Sequence, residues 1–422
     1  MKRILTFLLC CVALTSAAQS TPDEALYRAI REVPQRAGIN LRSYEFNPLH
    51  DTPAPAGYQP FYISHYGRHG SRSNSDGHNY LRLIKQLEAA RKDGALTADG
   101  EHLLEVTRSV NEANQGMSGR LTPRGREEHR RLAERMYRRY SAVFRKGSRR
   151  IFAASSIVPR CLVSMNAFTM ELKALQRNLD IDIDTGERFM EYIGKSGSSE
   201  LRNKVRAIND SIEKAYVPDT LYVLTRLFKD PAAARRYVPS ATKLTRDVFN
   251  TAKSTDAFDI EENLFRYLNE RDVWHWASQA SLNIYLCQAN SEAYGAERMK
   301  RASDLAGDIV RRADEVIAGA PRSADLRFGH DFPFIGLVSY LGLEGVSRRL
   351  SADVARGEWD GSRYTPFAAN LQMVFYRNRK KEVLVKFLMN EKETLIPELS
   401  AVKGPYYRWD DVKALIASRP KE

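Results

Sequence analysis

Two kinds of hydrophobic spacing divide this chain. Short aromatic or β-branched runs read as strands: Phe61-Tyr62-Ile63 at the head of FYISHYGRHGSRS, then RRIFAASS at 149–156 and the alternating LDIDID at 179–184. Two more runs surround the turn-like RNRKK at 377–381. Longer polar segments carry helical signals. NYLRLIKQLEAARKDG stops at Gly94, and LTPRGREEHRRLAERMYRRY offers Thr122 as N-cap with Pro123 in the first turn. IVPRCLVSMNAFTMELKAL again has an early proline, and ADLRFGHDFPFIGLVSYLGL reads as a strand, a turn at Gly329 and a helix capped by Asp331. From about Glu187 to Met299 the pattern is charged and helical, with no Gly/Ser/Pro linker and no repeat. Strands alternating with helices on both sides of this stretch predict an α/β fold, a sheet flanked by helices, with an inserted, mainly helical cap. The boundaries read as a core over 22–186 and 300–422 and a cap over 187–299.

The first residues change the picture. MKRILTFLLCCVALTSAAQS has a basic start, an apolar run too short to span a bilayer, and small residues ending Ser16-Ala17-Ala18. This order predicts a signal peptide over 1–18, cleaved near Ala18, and an exported protein, periplasmic or extracellular, with no stable membrane insertion. Of the four cysteines, Cys161 and Cys287 lie beyond the leader. They leave open one disulfide or a free buried pair. Hydrophobic residues at 43% exclude a disordered chain, and a formal net charge of +13 points to anionic partners.

Open α/β sheets place ligands at the carboxyl ends of their strands. Three predicted strand ends carry the chemistry expected there: Arg68-His69-Gly70-Ser71-Arg72, Arg160, and His330-Asp331. Arginine is the planar, always-charged fork that matches phosphate oxygens. Three arginines around a histidine would cradle a phosphate beside a neutral imidazole able to attack phosphorus, and a carboxylic acid would protonate the leaving alkoxide. Each residue also has a plainer reading. His69 could be a loop histidine satisfied by backbone, Arg160 a solvated helix residue, and Asp331 only a helix cap.

RHGSR at 68–72, with LTPRG at 121–125, ASSIVPR at 154–160, GHD at 329–331 and PFAANLQMVFYR at 366–377, resembles the histidine acid phosphatases of the histidine phosphatase superfamily. The likeness spans most of the chain outside the helical middle, and SHYGRHGSR looks most like bacterial members of the multiple inositol polyphosphate phosphatase branch. The resemblance implies an α/β phosphatase core with a helical cap and catalysis without a metal or other cofactor. It implies His69 as nucleophile, Arg68, Arg72, Arg160 and His330 as phosphate ligands, and Asp331 as proton donor. The substrate would be a small anionic phosphoester: phytate or another inositol polyphosphate, a sugar phosphate, or a less specific monoester. Two positions depart from the pattern. Asn74 stands where a proline is usual, and His330-Asp331-Phe332 replaces the HAE of the inositol polyphosphate branch, which bears on which substrate phosphate leaves first.

Other chemistries find less support. His65 and His69 lack the intervening glutamate of a zinc helix, and no Gly-rich nucleotide loop ends in Lys-Ser or Lys-Thr. His78, His102 and His129 sit in polar segments and read as solvated. Trp274, His275 and Trp276 in RDVWHWASQ read as packing. The runs RKGSRR and RNRKK read as solvated turns. Lys195, Arg202, Lys204 and Arg206 are cap cations by composition. A rival of another class, a catalytically silent polyanion-binding protein, would be free to lose His69 or Asp331, and both are present. The chain is expected to act as a monomer without nucleic acid.

Overall fold

The computed structural model describes residues 25–194 and 198–421; the leader and Lys195 lie outside them. Among the described residues one eight-stranded sheet forms from β1 (Gln59–Arg68), β2 (Arg150–Ser155), β3 (Asp180–Thr185), β4 (Ala324–Gly329), β5 (Asn370–Arg377), β6 (Val383–Met389), β7 (Lys392–Thr394) and β8 (Tyr406–Arg408). The order is β3-β2-β4-β1-β5-β6-β7, with β8 on β6. The first four strands run parallel, and β5 joins β1 antiparallel. Each parallel strand feeds a crossover, so β4 slots between β2 and β1 although most of the chain separates them. The register Arg68↔Gly329 and Ser155↔Phe328 brings the carboxyl ends of β1, β2 and β4 to one edge.

β1 is buried from Tyr62 to Arg68, as a central strand covered on both faces must be. Tyr62 and Tyr66 face one hydrophobic core; Ile63 faces a second with Ile151, Leu326 and Phe328. The first core is continuous with the helical middle of the chain through Trp276, Leu282 and Tyr285. Glu187 to Lys300 carries no strand among its described residues. Its helices Thr220–Leu227 and Ala241–Thr255 also receive His78–Lys92 and Ala98–Asn114 from the first half of the chain.

Two expectations change and one open choice is resolved. The helix after β4 starts at Asp331, with His330 as its N-cap and no side-chain cap bond; the Asp331 carboxylate is engaged elsewhere. His129 is only 1% exposed, because helix Pro123–Arg139 turns it inward between Phe168 and Phe328, so it is not solvated. His78 is exposed, as expected, and Trp276 is buried. Cys161 and Cys287 are both free and buried, which resolves the open choice against a disulfide.

Candidate active site

Why does β1 run straight into two arginines and a histidine? The strand ends on Arg68, and the loop that follows is tied from every side. The His69 amide donates to the Gly329 carbonyl at 2.9 Å, and the His69 carbonyl accepts from the Ala368 amide at 2.9 Å. The Gly70 amide donates to Ser164 Oγ at 3.1 Å. The Ser71 carbonyl receives the Thr122 amide and hydroxyl at 2.9 and 3.0 Å, so the N-terminus of helix Pro123–Arg139 is docked on the loop. A Cβ on Gly70 would fall 2.3 Å from the Gly125 carbonyl oxygen, which only two glycines allow. Beneath, buried Glu128 accepts from the Ser71 amide and hydroxyl at 2.7 Å each and from the Tyr44 amide at 2.9 Å. The exit of the loop passes Asn74, whose carbonyl accepts from the Gly119 amide.

His69 is 3% exposed, and its Nδ1 lies 2.9 Å from the Gly70 carbonyl. A carbonyl only accepts, so Nδ1 carries the proton and Nε2 keeps its lone pair. Burial, then Arg68 and Arg160, hold the ring's pKa well below the ordinary histidine value. The imidazole is therefore neutral and its free nitrogen is basic only weakly. That combination suits a nucleophile.

The arginines are arranged around this ring. Arg68, 2% exposed, spends Nη1 on the Asn40 and Thr365 carbonyls at 2.7 Å each and Nη2 on Asp331 Oδ2 at 3.0 Å. Its guanidinium also lies over the Phe367 ring, which touches His69. Arg72 gives Nη1 to the Ser73 carbonyl. Burial, then Arg68 and Arg160, lower the Arg72 pKa to about 10. Arg160, on the first turn after β2, acts electrostatically on Arg68, His69, Arg72 and His330. The Nε of Arg68, Arg72 and Arg160 are all buried without a hydrogen-bond partner. Three guanidiniums gathered beside one neutral imidazole supply the charge and the forked donors that match an oxyanion.

His330 stands opposite, its ring centroid 5.7 Å from that of His69. Its Nε2 is 3.1 Å from Ser156 Oγ, and burial, then Arg160, lower its pKa to about 4. Tyr66 Oη bridges the His330 amide and the Ile193 carbonyl. Asp331 is 8% exposed; burial disfavours its charge, but Arg68, the Asn40 amide, His330 and Arg72 prevail and hold its pKa below the usual carboxylate value.

All six residues singled out in the sequence thus meet at one sheet edge. The sequence did not point to Asn40, Glu128, Ser164 or Thr365, none of which stands in a recognisable motif, nor to a role for Ser156 within ASSIVPR. Of the cap cations, Arg202, Lys204 and Arg206 are exposed on helix Ser199–Lys214, with Lys204 paired to Glu200. No three His, Cys, Asp or Glu side chains among the described residues are grouped to hold a metal ion. The family model of the histidine phosphatase superfamily (branch 2) matches residues 67–390, from the last two residues of β1 to just past β6. The chain belongs to that superfamily. Membership places it among the phosphoric monoester hydrolases. It is 24% identical over 388 residues to multiple inositol polyphosphate phosphatase 1 of Gallus gallus, covering 81% of this chain and 78% of that one. The fold is that of the Bifidobacterium longum multiple inositol polyphosphate phosphatase solved with phosphate, at a TM-score of 0.75, 18% identity and coverage of 91% and 98%. It is also that of the phytase from D. castellii, at 0.69, 14% identity and coverage of 96% and 88%.

Proposed function

We propose that this phosphatase is an exported enzyme that hydrolyses phosphomonoesters through a phosphohistidine on His69, with inositol polyphosphates such as phytate as its leading substrates. The observation that carries this reading is the gathering of Arg68, Arg72 and Arg160 at the strand edge that holds His69, with Arg68 and Arg160 acting on its ring and Nδ1 carrying the ring proton so that Nε2 keeps its lone pair. Nε2 attacks phosphorus in line, the Nε2–P bond forms as the P–O bond to the alcohol breaks, and the arginines with His330 stabilise the equatorial oxygens. Asp331 gives its proton to the departing alkoxide. A water then attacks the phosphohistidine, Asp331 takes the water's proton, and phosphate and free imidazole result.

The resting state bears on the acid's role. Asp331 is an ionised partner of Arg68. A phosphate arriving at Arg68 brings negative charge beside the carboxylate and shares its counter-ion, which raises its proton affinity. The acid is thereby charged with a proton when the substrate binds. The stretch 187–299, with no strand among its described residues, is read as a cap over the cleft. Phe332, 40% exposed, follows the acid at the position where the inositol polyphosphate branch carries a glutamate, so the proton comes from the preceding residue.

The names of the relatives and the basic charge favour inositol polyphosphates; a broad phosphatase of sugar and other monoesters is the second reading. The test is phosphate release from phytate and from p-nitrophenyl phosphate with chelator present, for wild type and His69→Ala. Release from both that vanishes in the variant is expected. Release from the aryl ester alone discards the inositol reading, and silence on both leaves a polyanion-binding protein.

A further inference from the structure

The proton donor does not stand alone. Asn40 closes a short 3₁₀ segment, Pro34–Leu41, and reaches the site from a part of the chain with no motif. Its Nδ2 donates to Asp331 Oδ2 at 3.0 Å, while its backbone carbonyl accepts Arg68 Nη1 at 2.7 Å. One residue therefore grips both members of the Arg68–Asp331 ion pair. Its neighbour Ile39 is fully buried and held at φ 52°, ψ −109°, a conformation that a β-branched residue adopts only under constraint. Room for the Ile39 side chain exists because residue 361 is glycine; a Cβ there would lie 3.0 Å from Ile39 Cγ2. The strain sits immediately before the residue that touches the carboxylate.

We propose that Asn40 is a positioning residue for the proton donor, fixing Asp331 so that the transferred proton resides on Oδ1. Oδ2 accepts the Asn40 Nδ2 hydrogen bond and lies 3.0 Å from the Arg68 Nη2 cation, so a proton placed there would face two donor groups. Oδ1 makes no hydrogen bond to any described residue, so it is the oxygen left to hold a proton. The Asn40 amide also favours the charged carboxylate and so makes Asp331 a stronger acid toward an alkoxide. The other groups acting on Asp331 are Arg68 and Tyr66 from β1, Arg72 from the loop, His330 beside it, and Cys161 from helix Pro159–Leu175. All of them stay in place when the Asn40 side chain is removed, as does the Asn40 carbonyl.

The inference rests on Asp331 as proton donor, and the experiment separates the two. Asn40→Ala, Asn40→Asp and Asp331→Asn are compared with wild type on an alkyl phosphate and on p-nitrophenyl phosphate, across pH, with unfolding curves as a control. Losing the amide raises the acid's pKa, so the alkaline limb of kcat moves up, by roughly half a pH unit or more in Asn40→Ala. The kcat on the alkyl ester falls by about tenfold, and that on the aryl ester, whose leaving group needs no proton, by about twofold or less. Asn40→Asp keeps the shape but replaces the donors with a second carboxylate, and shifts the limb at least as far. Parallel losses on both esters with an unmoved limb would reduce Asn40 to a structural residue. Selective loss in Asp331→Asn with none in the Asn40 variants overturns the inference and spares the donor. No selectivity in Asp331→Asn removes the donor, and the inference with it.

Discussion

Gly125→Ala sets two expectations against each other. Gly125 is the third residue of helix Pro123–Arg139, where alanine would ordinarily stabilise by about 1 kcal/mol. In this fold the added Cβ would lie 2.2 Å from the Ser71 carbonyl oxygen and 2.8 Å from the Ser71 amide nitrogen. Both are backbone atoms, so no rotamer change relieves the contact, and helix and loop must part by roughly 1 Å to reach ordinary van der Waals distance. Parting them stretches the two Thr122 bonds to the Ser71 carbonyl, for an overpacking and hydrogen-bond cost of about 2–4 kcal/mol, or a net destabilisation of about 1–3 kcal/mol. The displacement is passed to Arg68, His69 and Arg72 through a loop with no slack, and a shift of about 1 Å in catalytic groups lowers kcat/KM by roughly 10- to 100-fold. Urea unfolding gives the first quantity and p-nitrophenyl phosphate turnover the second. A variant as stable and as active as wild type would refute the view that helix and loop are locked together by this pair of glycines.

Three further outcomes are expected. His65, His69, His129 and His330 all have pKa values depressed by burial, to about 3 for His65 and His129 and about 4 for His330. In the unfolded chain they protonate near 6.5, so stability present above that pH is lost as pH falls toward the folded values. Urea midpoints at pH 7 and pH 4.5 should differ accordingly, and a flat profile would contradict the assignment. Neither buried ring nitrogen of His129 makes a close hydrogen bond to a described residue, although the Arg68 backbone acts on the ring, so His129→Leu should be at least as stable as wild type at pH 7 and lose less stability in acid; clear destabilisation at both pH values would show that the Arg68 backbone contact holds the ring. Burial raises both cysteine pKa values, that of Cys161 to about 12. Thiol titration of protein lacking residues 1–18 should find neither cysteine reactive while folded and both reactive after denaturation without reductant.

Which parts of this design were legible beforehand follows from the physics that writes them. RHGSR and GHD were readable because glycine and charge interrupt a buried strand, a local event with a local signature. Asn40 and Glu128 were not, since they reach the loop only through tertiary packing from distant segments. His129 is instructive. The charged run around it suggested a solvated face, yet His129, Leu132, Ala133 and Met136 recur at helical spacing and are all buried, so the stripe was present and overshadowed by arginines. Asp331 was placed one residue off as a cap because aspartate before a helix has that common use; the cationic crowd that recruits it is invisible locally. β7 and β8, three residues each, are too short for any period to register.

The crowding of Arg68, Arg72 and Arg160 has a consequence beyond turnover. Like charges held close together in a buried site repel one another, and a bound anion offsets that repulsion. Free phosphate at a hundred times its dissociation constant adds about 2.7 kcal/mol to the folded form. Resistance to proteolysis then tracks supply: the folded form is best protected where phosphoesters and their product are plentiful and least protected where there is nothing left to cleave.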